Sequence, residues 1–549
     1  MKTDHTAIEA TPRRTAALVV CVIGGFLTLL DVSIVTVALP SMEKSLRMTP
    51  AEVSWSLSGY SLAFGLALVP AGRLGDLFGR RRLLLIGILL FAVTGILCGA
   101  ATSATMLIVA RLARGAAAGI VAPQAIGLIQ QMYSPKERGK AFGIYGAAVG
   151  ISTAIGPLLG GLILNGFTGT DGWRYVFYLF VPIAALAFVL GLFILPQDRP
   201  RSENHSLDGL GALLLGAGMV FLMLPLIEAS SSGSKPGWWR LPIGVVLVAA
   251  FFAWEYRLES RGGAPLLSPK LLAIRGYSVG TAIGLTFYAG FTGIFLSFAL
   301  FFQQGLKLTP LHGAMDTIVF VITSAVMAII CGRIVHRFGQ RMVVVGCLCT
   351  AVGLFLTALL IRHVTAGNAA ADLFAPLLLA GFGAGMVITP NQTLTMHSVP
   401  RTDGGTAAGG FQTGQRIGTA IGAAVGGSLF FGRLTSSLSG GSKPAGGSSP
   451  GASGSTGGSF PGASGSGSTG GSFPGASGSA GGSFPGSANL HQAANLTASY
   501  QHAAQVSLFG SAGLIALAFV IALVDVLVRH RTSTAEETAL VPSAQAGTV

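Results

Sequence analysis

Charged residues are scarce in this chain. Of its 549 residues, 10% are Asp, Glu, Lys or Arg, while 51% are hydrophobic. A soluble globular chain carries about a quarter charged residues, so the composition excludes that class. Cysteine is rarer still. Cys21, Cys98, Cys331, Cys347 and Cys349 all fall inside apolar stretches, with no Cys-x-x-Cys pair. An odd, scattered set excludes a disulfide framework or a metal site and reads as small core residues. The Walker loop GxxxxGK[ST] is missing, which leaves ATP-driven pumping within this chain unsupported. His-Glu-x-x-His and Gly-x-Ser-x-Gly elements are missing too, and no nucleophile-base-acid set is visible. No enzyme activity, cofactor or metal is therefore expected.

What the chain does have is apolar runs of about 20 residues, the length that crosses a bilayer core. Fourteen are predicted, among them 15–38, 51–72, 105–127, 139–164, 311–332, 404–431 and 505–528. The expected class is an all-α polytopic membrane protein. The first run is too long for a signal-peptide core and reads as a retained span. The net charge of +14 does not point to nucleic acid. Its basic residues lie in short loops, which is a topology signal. With the N-terminus inside, the inner segments collect most of them, including Arg13, Arg14, Arg73, Arg80 to Arg82, Arg333, Arg337 and Arg341. Both termini are then expected to be cytoplasmic.

Two internal echoes set the architecture. Gly72-Arg73-Leu74-Gly75-Asp76-Leu77-Phe78-Gly79-Arg80-Arg81 returns as Gly332-Arg333-Ile334-Val335-His336-Arg337-Phe338-Gly339-Gln340-Arg341. Thr153-Ala154-Ile155-Gly156, followed by Gly160-Gly161, returns as Thr419-Ala420-Ile421-Gly422, followed by Gly426-Gly427. The nearly equal offsets, 260 and 266 residues, relate span n to span n+8 and predict two related halves. Residues 1–200 form a first six-helix bundle, 201–262 an inserted helix pair, and 263–549 a second bundle. From about Ser436 to Ser487 the last outer loop is nearly all Gly, Ser, Ala, Pro and Thr. Gly-Gly-Ser-Phe-Pro-Gly recurs there around Phe460, Phe473 and Phe484. That composition predicts a flexible spacer, with docking of the Phe-Pro units on a partner as the alternative.

Ionisable groups deep in spans are few: Asp31, Arg111, Arg114, Asp316 and Arg416. Each is costly there, about 2.5–3.5 kcal/mol at mid-membrane on insertion scales. At 1.5 Å per helical residue, Asp31 lies roughly 24 Å from the inner end of its span, and Arg111 roughly 10 Å below the outer end of its own. These depths match. A carboxylate near a cation in an alternating cavity can take up and release a proton; the same pair could instead fix helix packing. Arg114, Asp316 and Arg416 are candidates for the substrate cavity, each with a structural alternative. Asp76, with Gly72, Arg73, Gly79 and Arg80 beside it, reads as an inner latch between the halves or as a solvated turn. In the second copy His336 takes the Asp76 position, so that latch should be weaker. Gly156-Pro157 with Gly160-Gly161 bends and thins its helix, for packing or as a hinge.

With these residues in hand, the chain resembles the major facilitator superfamily, and within it the fourteen-helix drug:proton antiporters of the QacA/EmrB type. Leu30-Asp31-Val32-Ser33-Ile34-Val35-Thr36-Val37-Ala38-Leu39-Pro40 looks like that family's first-helix signature. Gly72 to Arg82 resembles its loop motif, Arg111-Leu112-Ala113-Arg114-Gly115 its fourth-helix motif, and Gly156-Pro157-Leu158-Leu159-Gly160-Gly161 its fifth-helix antiporter motif. Arg114 stands where the family usually has Gln, and Leu77 where it usually has Arg. The resemblance implies a major facilitator fold of two six-helix bundles plus two inserted helices. It also implies proton coupling through Asp31 and Arg111, an inner gate at Asp76, and antiport through Gly156-Pro157. The expected activity is proton-coupled efflux of drugs or other amphipathic small molecules across the plasma membrane. Expected partners are the substrate, protons and lipid, with no nucleic acid and a monomeric chain. Export of one endogenous lipid or secondary metabolite is the alternative; a non-transporting membrane sensor or scaffold comes after it.

Overall fold

The computed structural model describes residues 11–167, 169, 171–198, 208–230, 237–263, 265–400, 403–440 and 487–540. Most of the glycine- and serine-rich loop, and the tail after 540, lie outside the described residues. The helices are α1 (Thr11–Leu46), α2 (Pro50–Phe78), α3 (Arg80–Gly99), α4 (Ala104–Met132), α5 (Pro135–Gly166), α6 (Arg174–Tyr178) and α7 (Phe180–Ile194). Next come α8 (Gly209–Ser230), α9 (Arg240–Ser260), α10 (Pro269–Ala273), α11 (Arg275–Leu300), α12 (Pro310–Asp316) and α13 (Ile318–Phe338). The last four are α14 (Gln340–Leu360), α15 (Ala369–His397), α16 (Gly404–Gly440) and α17 (Ser487–Leu540). No strand occurs among the described residues.

Helices are the expected solution, because a bilayer offers backbone groups no other partner. Thirteen are long and apolar enough to cross. Within α5, Glu137–Ser152 and Ile155–Gly166 meet at 42° and make a fourteenth. Pro157 lacks the N–H that would bond one turn back, so the bend falls where the helix ladder is interrupted. The helix starts are written in the sequence. Thr49 and Glu52 form a reciprocal capping box before α2, with Pro50 in its first turn, and Ser103 caps α4. Gly79 between α2 and α3, and its repeat partner Gly339 between α13 and α14, both have positive φ, +105° and +53°. These are turns that L side chains rarely adopt.

The tenth span differs from its expected limits of 311–332. Residues 310–316 form a separate short helix, and the chain leaves helical geometry at Thr317 (φ −101°, ψ 1°) before α13 begins. Its hydroxyl turns back to the Gly313 carbonyl, a bond that competes with helix continuation.

One apolar core gathers side chains of α1–α10 and reaches Tyr277 of α11, Met396 of α15 and Ala407, Ala408 and Phe411 of α16, and a second gathers those of α11 and α13–α17. Between them, α2 packs along α16 and α5 along α13, while α8 and α9 pair with each other and α8 lies against α2 and α16. Under the repeat, α2 corresponds to α13 and α5 to α16. The two contacts are therefore images of one another, and the interface has a pseudo-twofold character.

Candidate functional site

The charged centre of the first bundle sits where α1, α2 and α4 meet. Asp31 on α1 is fully buried. Its Oδ2 accepts from Arg111 Nη1, and its Oδ1 accepts from Arg114 Nε at 2.6 Å. Arg111 also donates Nε to the Ser56 carbonyl at 3.0 Å and stacks 4.6 Å over the Tyr60 ring. Arg114 donates Nη1 to the Phe91 carbonyl and lies 3.8 Å over Phe91 and 4.7 Å over Phe180. The matched depths inferred for Asp31 and Arg111 thus correspond to a direct ion pair. The sequence made Arg114 a candidate for the substrate cavity, with a structural role as the alternative. Here it is fully buried inside the first bundle, against α3 and α7. Spaced three residues apart on one helix face, both arginines reach the same acid. One carboxylate between two guanidiniums leaves a positive excess, spread partly over aromatic faces.

Asp31 is held in place by the glycine-proline motif. Ser33, two residues on, donates its hydroxyl to the Ser152 carbonyl of α5 at 3.2 Å. A Cβ on Gly156 would overlap Ser33 Oγ, and one on Gly160 would come within 3.2 Å of Val37 and 3.3 Å of Ile34. Gly161 has open space around it. Gly156 and Gly160 therefore form the docking face for α1, whereas Gly161 points elsewhere.

A second charged cluster joins the halves at the end that carries the glycine-arginine motif. Asp76 is 3% exposed. Arg80 reaches it at 2.8 and 3.0 Å, one helical turn on. From the other half, the Gly405 amide donates to Asp76 Oδ1 at 3.0 Å, and the Thr406 amide and hydroxyl donate to Oδ2 at 2.7 and 2.9 Å. These amides belong to the first turn of α16, whose N–H groups lack helical partners. Asp76 thus caps a helix of the opposite bundle, with its charge at the favourable end of the dipole. Arg80 also donates to the Gly127 carbonyl at 2.6 Å. Gln130 Nε2 donates to the Met396 and Val399 carbonyls at 2.8 and 3.4 Å.

Small residues make this closure possible. A Cβ on Gly72 would strike the Gly405 carbonyl, and one on Gly139 would strike the Gly332 carbonyl. Gly72 and Gly332 are repeat partners, as are Gly139 and Gly405. The two crossings therefore close on equivalent glycine pairs, but His336 replaces Asp76 at the second. Arg73 Nε is buried without a hydrogen-bond partner among the described residues. Gly79 turns the chain beside Asp198, whose carboxylate accepts from the Arg81 and Arg82 amides at 3.0 and 3.1 Å.

Of the remaining candidates, Arg416 adjoins the first cluster through Phe64, which stacks on Tyr60. Arg416 on α16 is partly buried and stacks 4.1 Å over Phe64 of α2, across the interface. Asp316 is partly buried at the end of α12, distant in sequence from any residue of the two clusters. The sequence reading missed Asp198, Gln124 and Gln130. Gln124 donates to the Ala71 carbonyl at 2.7 Å. A buried amide near a motif is the signal that marks such residues.

The family model described as "Major Facilitator Superfamily" matches residues 21–423. A probable actinorhodin transporter of Streptomyces coelicolor is 33% identical over 79% of this chain and 76% of its own length. The puromycin resistance protein pur8 of Streptomyces alboniger is 34% identical over 79% of this chain and 85% of its own. Among solved structures, the human organic anion transporter MFSD10 (TETRAN) superposes with a TM-score of 0.59 at 16% identity, covering 93% of this chain and 99% of that one; at that identity the likeness concerns the fold.

Proposed function

The chain belongs to the Major Facilitator Superfamily, whose members are membrane transporters rather than enzymes, and on that premise we propose that it is a proton-coupled exporter of drugs, antibiotics or kindred amphipathic molecules. The relatives named for actinorhodin transport and puromycin resistance support export. The observation that carries the coupling is Asp31 buried between Arg111 and Arg114.

Both Asp31 oxygens are occupied by guanidiniums. A proton added to either oxygen cancels the charge that holds both guanidiniums, so protonation loosens the clamp. Arg111 is tied to α2 through the Ser56 carbonyl and the Tyr60 ring. Releasing it alters how α1, α2 and α4 pack. α2 also carries Asp76, so the same helix links the proton site to the gate. Deprotonation restores the clamp and the closed arrangement. Gly156 and Gly160 hold α1 against α5 while this happens, and the bend before Pro157 lets the two halves of α5 move separately.

In this reading residues 1–200 and 263–549 are the moving halves and 201–262 a passive pair. Both termini are cytoplasmic, the chain works as a monomer in the plasma membrane, and the Asp76 latch closes the cytoplasmic side. Arg416 and Asp316 flank the substrate path. The experiment is substrate flux in proteoliposomes with an imposed pH gradient. Substrate-dependent proton movement is expected, and its absence in a chain that moves substrate would remove proton coupling.

A further inference from the structure

Arg416 stands near the middle of α16, facing Phe64 near the middle of α2. No carboxylate among the described residues forms an ion pair with it. The one acid deep in the first bundle, Asp31, is already shared by two guanidiniums. A bare guanidinium at that depth is costly. Its contact with Phe64 offsets part of the charge but offers no hydrogen-bond acceptor.

Its surroundings are rich in donors. The phenols of Tyr145 on α5 and Tyr288 on α11 lie within electrostatic reach of the guanidinium, as does Tyr60 on α2. Tyr60 spends its hydroxyl on the Thr28 carbonyl, whereas the Tyr145 and Tyr288 hydroxyls make no hydrogen bond among the described residues; the Tyr288 carbonyl accepts from Thr292. Gln412 and Thr413 lie one turn before Arg416 on the same face of α16. Both are more than nine-tenths buried, and Gln412 Nε2 and Thr413 Oγ1 have no partner among the described residues.

We propose that this cluster binds an aromatic organic anion, with a carboxylate or ionised phenol on Arg416 and the ring system against Phe64, Tyr145 and Tyr288. The residues come from α2 and α5 in one half and α11 and α16 in the other, so the site spans the surface that opens and closes. Three guanidiniums against one carboxylate give the region a positive field. An anion is drawn in, and a cation finds no acid to pair with. The assignment deepens the export reading and rests on it for the view that this interface is the substrate path.

The test is equilibrium binding to the purified chain, without a proton gradient, of three probes sharing one fluorophore. These are dansylglycine, its methyl ester, and a dansyl-bearing trimethylammonium. Dansylglycine should bind about tenfold tighter than the ester, the margin of one charge-assisted hydrogen bond, with the cation weakest. Arg416→Gln should abolish that margin, and Arg416→Lys, which keeps the charge, should retain the order. Equal affinities, no binding of the carboxylate, or an anion preference that survives Arg416→Gln overturns the assignment. The rank order in the unmodified chain is decisive even if the glutamine variant fails to fold. A chain that binds dansylglycine but never exports it would refute the export reading and leave this site standing.

Discussion

Single residues separate docking from bulk within one motif. Gly156 and Gly161 sit five positions apart on α5, yet a Cβ on the first meets Ser33 while a Cβ on the second meets nothing within 4 Å. Gly156→Leu should force α1 off α5 and displace Asp31. Overpacking of this kind costs about 1–3 kcal/mol, so the expected result is a lower melting temperature in detergent together with lost transport. Gly161→Leu should leave both near the unmodified values. Equal damage from the two would mean that the motif acts through helix flexibility rather than through contact with α1. The sequence alone made Asp31 and Arg111 legible, because charge within apolar runs is rare and depth follows from counting. Arg114 was harder to place. Depth says nothing about rotation about the helix axis, and it is rotation that turns Arg114 toward Asp31, Phe91 and Phe180.

The proposed gate is carried by helices. Asp76 accepts three hydrogen bonds from the first turn of α16 and two from Arg80. Asp76→Ala leaves those donors unpaired, which at about 3 kcal/mol for bonds to a charged group shifts the closed state roughly a hundredfold. Spin labels at Phe78 and Phe338, both exposed at the motif end of the two halves, should read a longer mean separation in Asp76→Ala. An unchanged distance distribution would make Asp76 a fold residue rather than a latch. The motif and its echo were plain in the sequence. The crossing of α2 with α16, and of α5 with α13, was not, because it depends on how one bundle is turned against the other. The Asp198 cap of α3 was hidden for a related reason: its partner amides lie more than 110 residues earlier in the chain. The break at Thr317 escaped because hydropathy continues across it while the backbone does not.

At the scale of the whole molecule, the proposed fourteen crossings would put the two ends on one side, and on our reading the basic loops put that side in the cytoplasm. Reporters fused at Val549 and inserted at Gly465 should therefore lie on opposite faces. Finding both on one face would remove the last crossing. Such an arrangement can use the membrane potential, about 2.3 kcal/mol per charge per 100 mV, to drive export against a gradient. The central claim is that a titrating Asp31, held by Arg111 and Arg114, ties substrate movement to protons. Asp31→Asn keeps the size and polarity and one of the two acceptor oxygens but cannot titrate. The most direct measurement is substrate accumulation in proteoliposomes under an imposed pH gradient, unmodified chain against Asp31→Asn, with substrate binding read in parallel. The account predicts that the variant still binds substrate but accumulates none above equilibrium. Accumulation by Asp31→Asn at the unmodified level would contradict it.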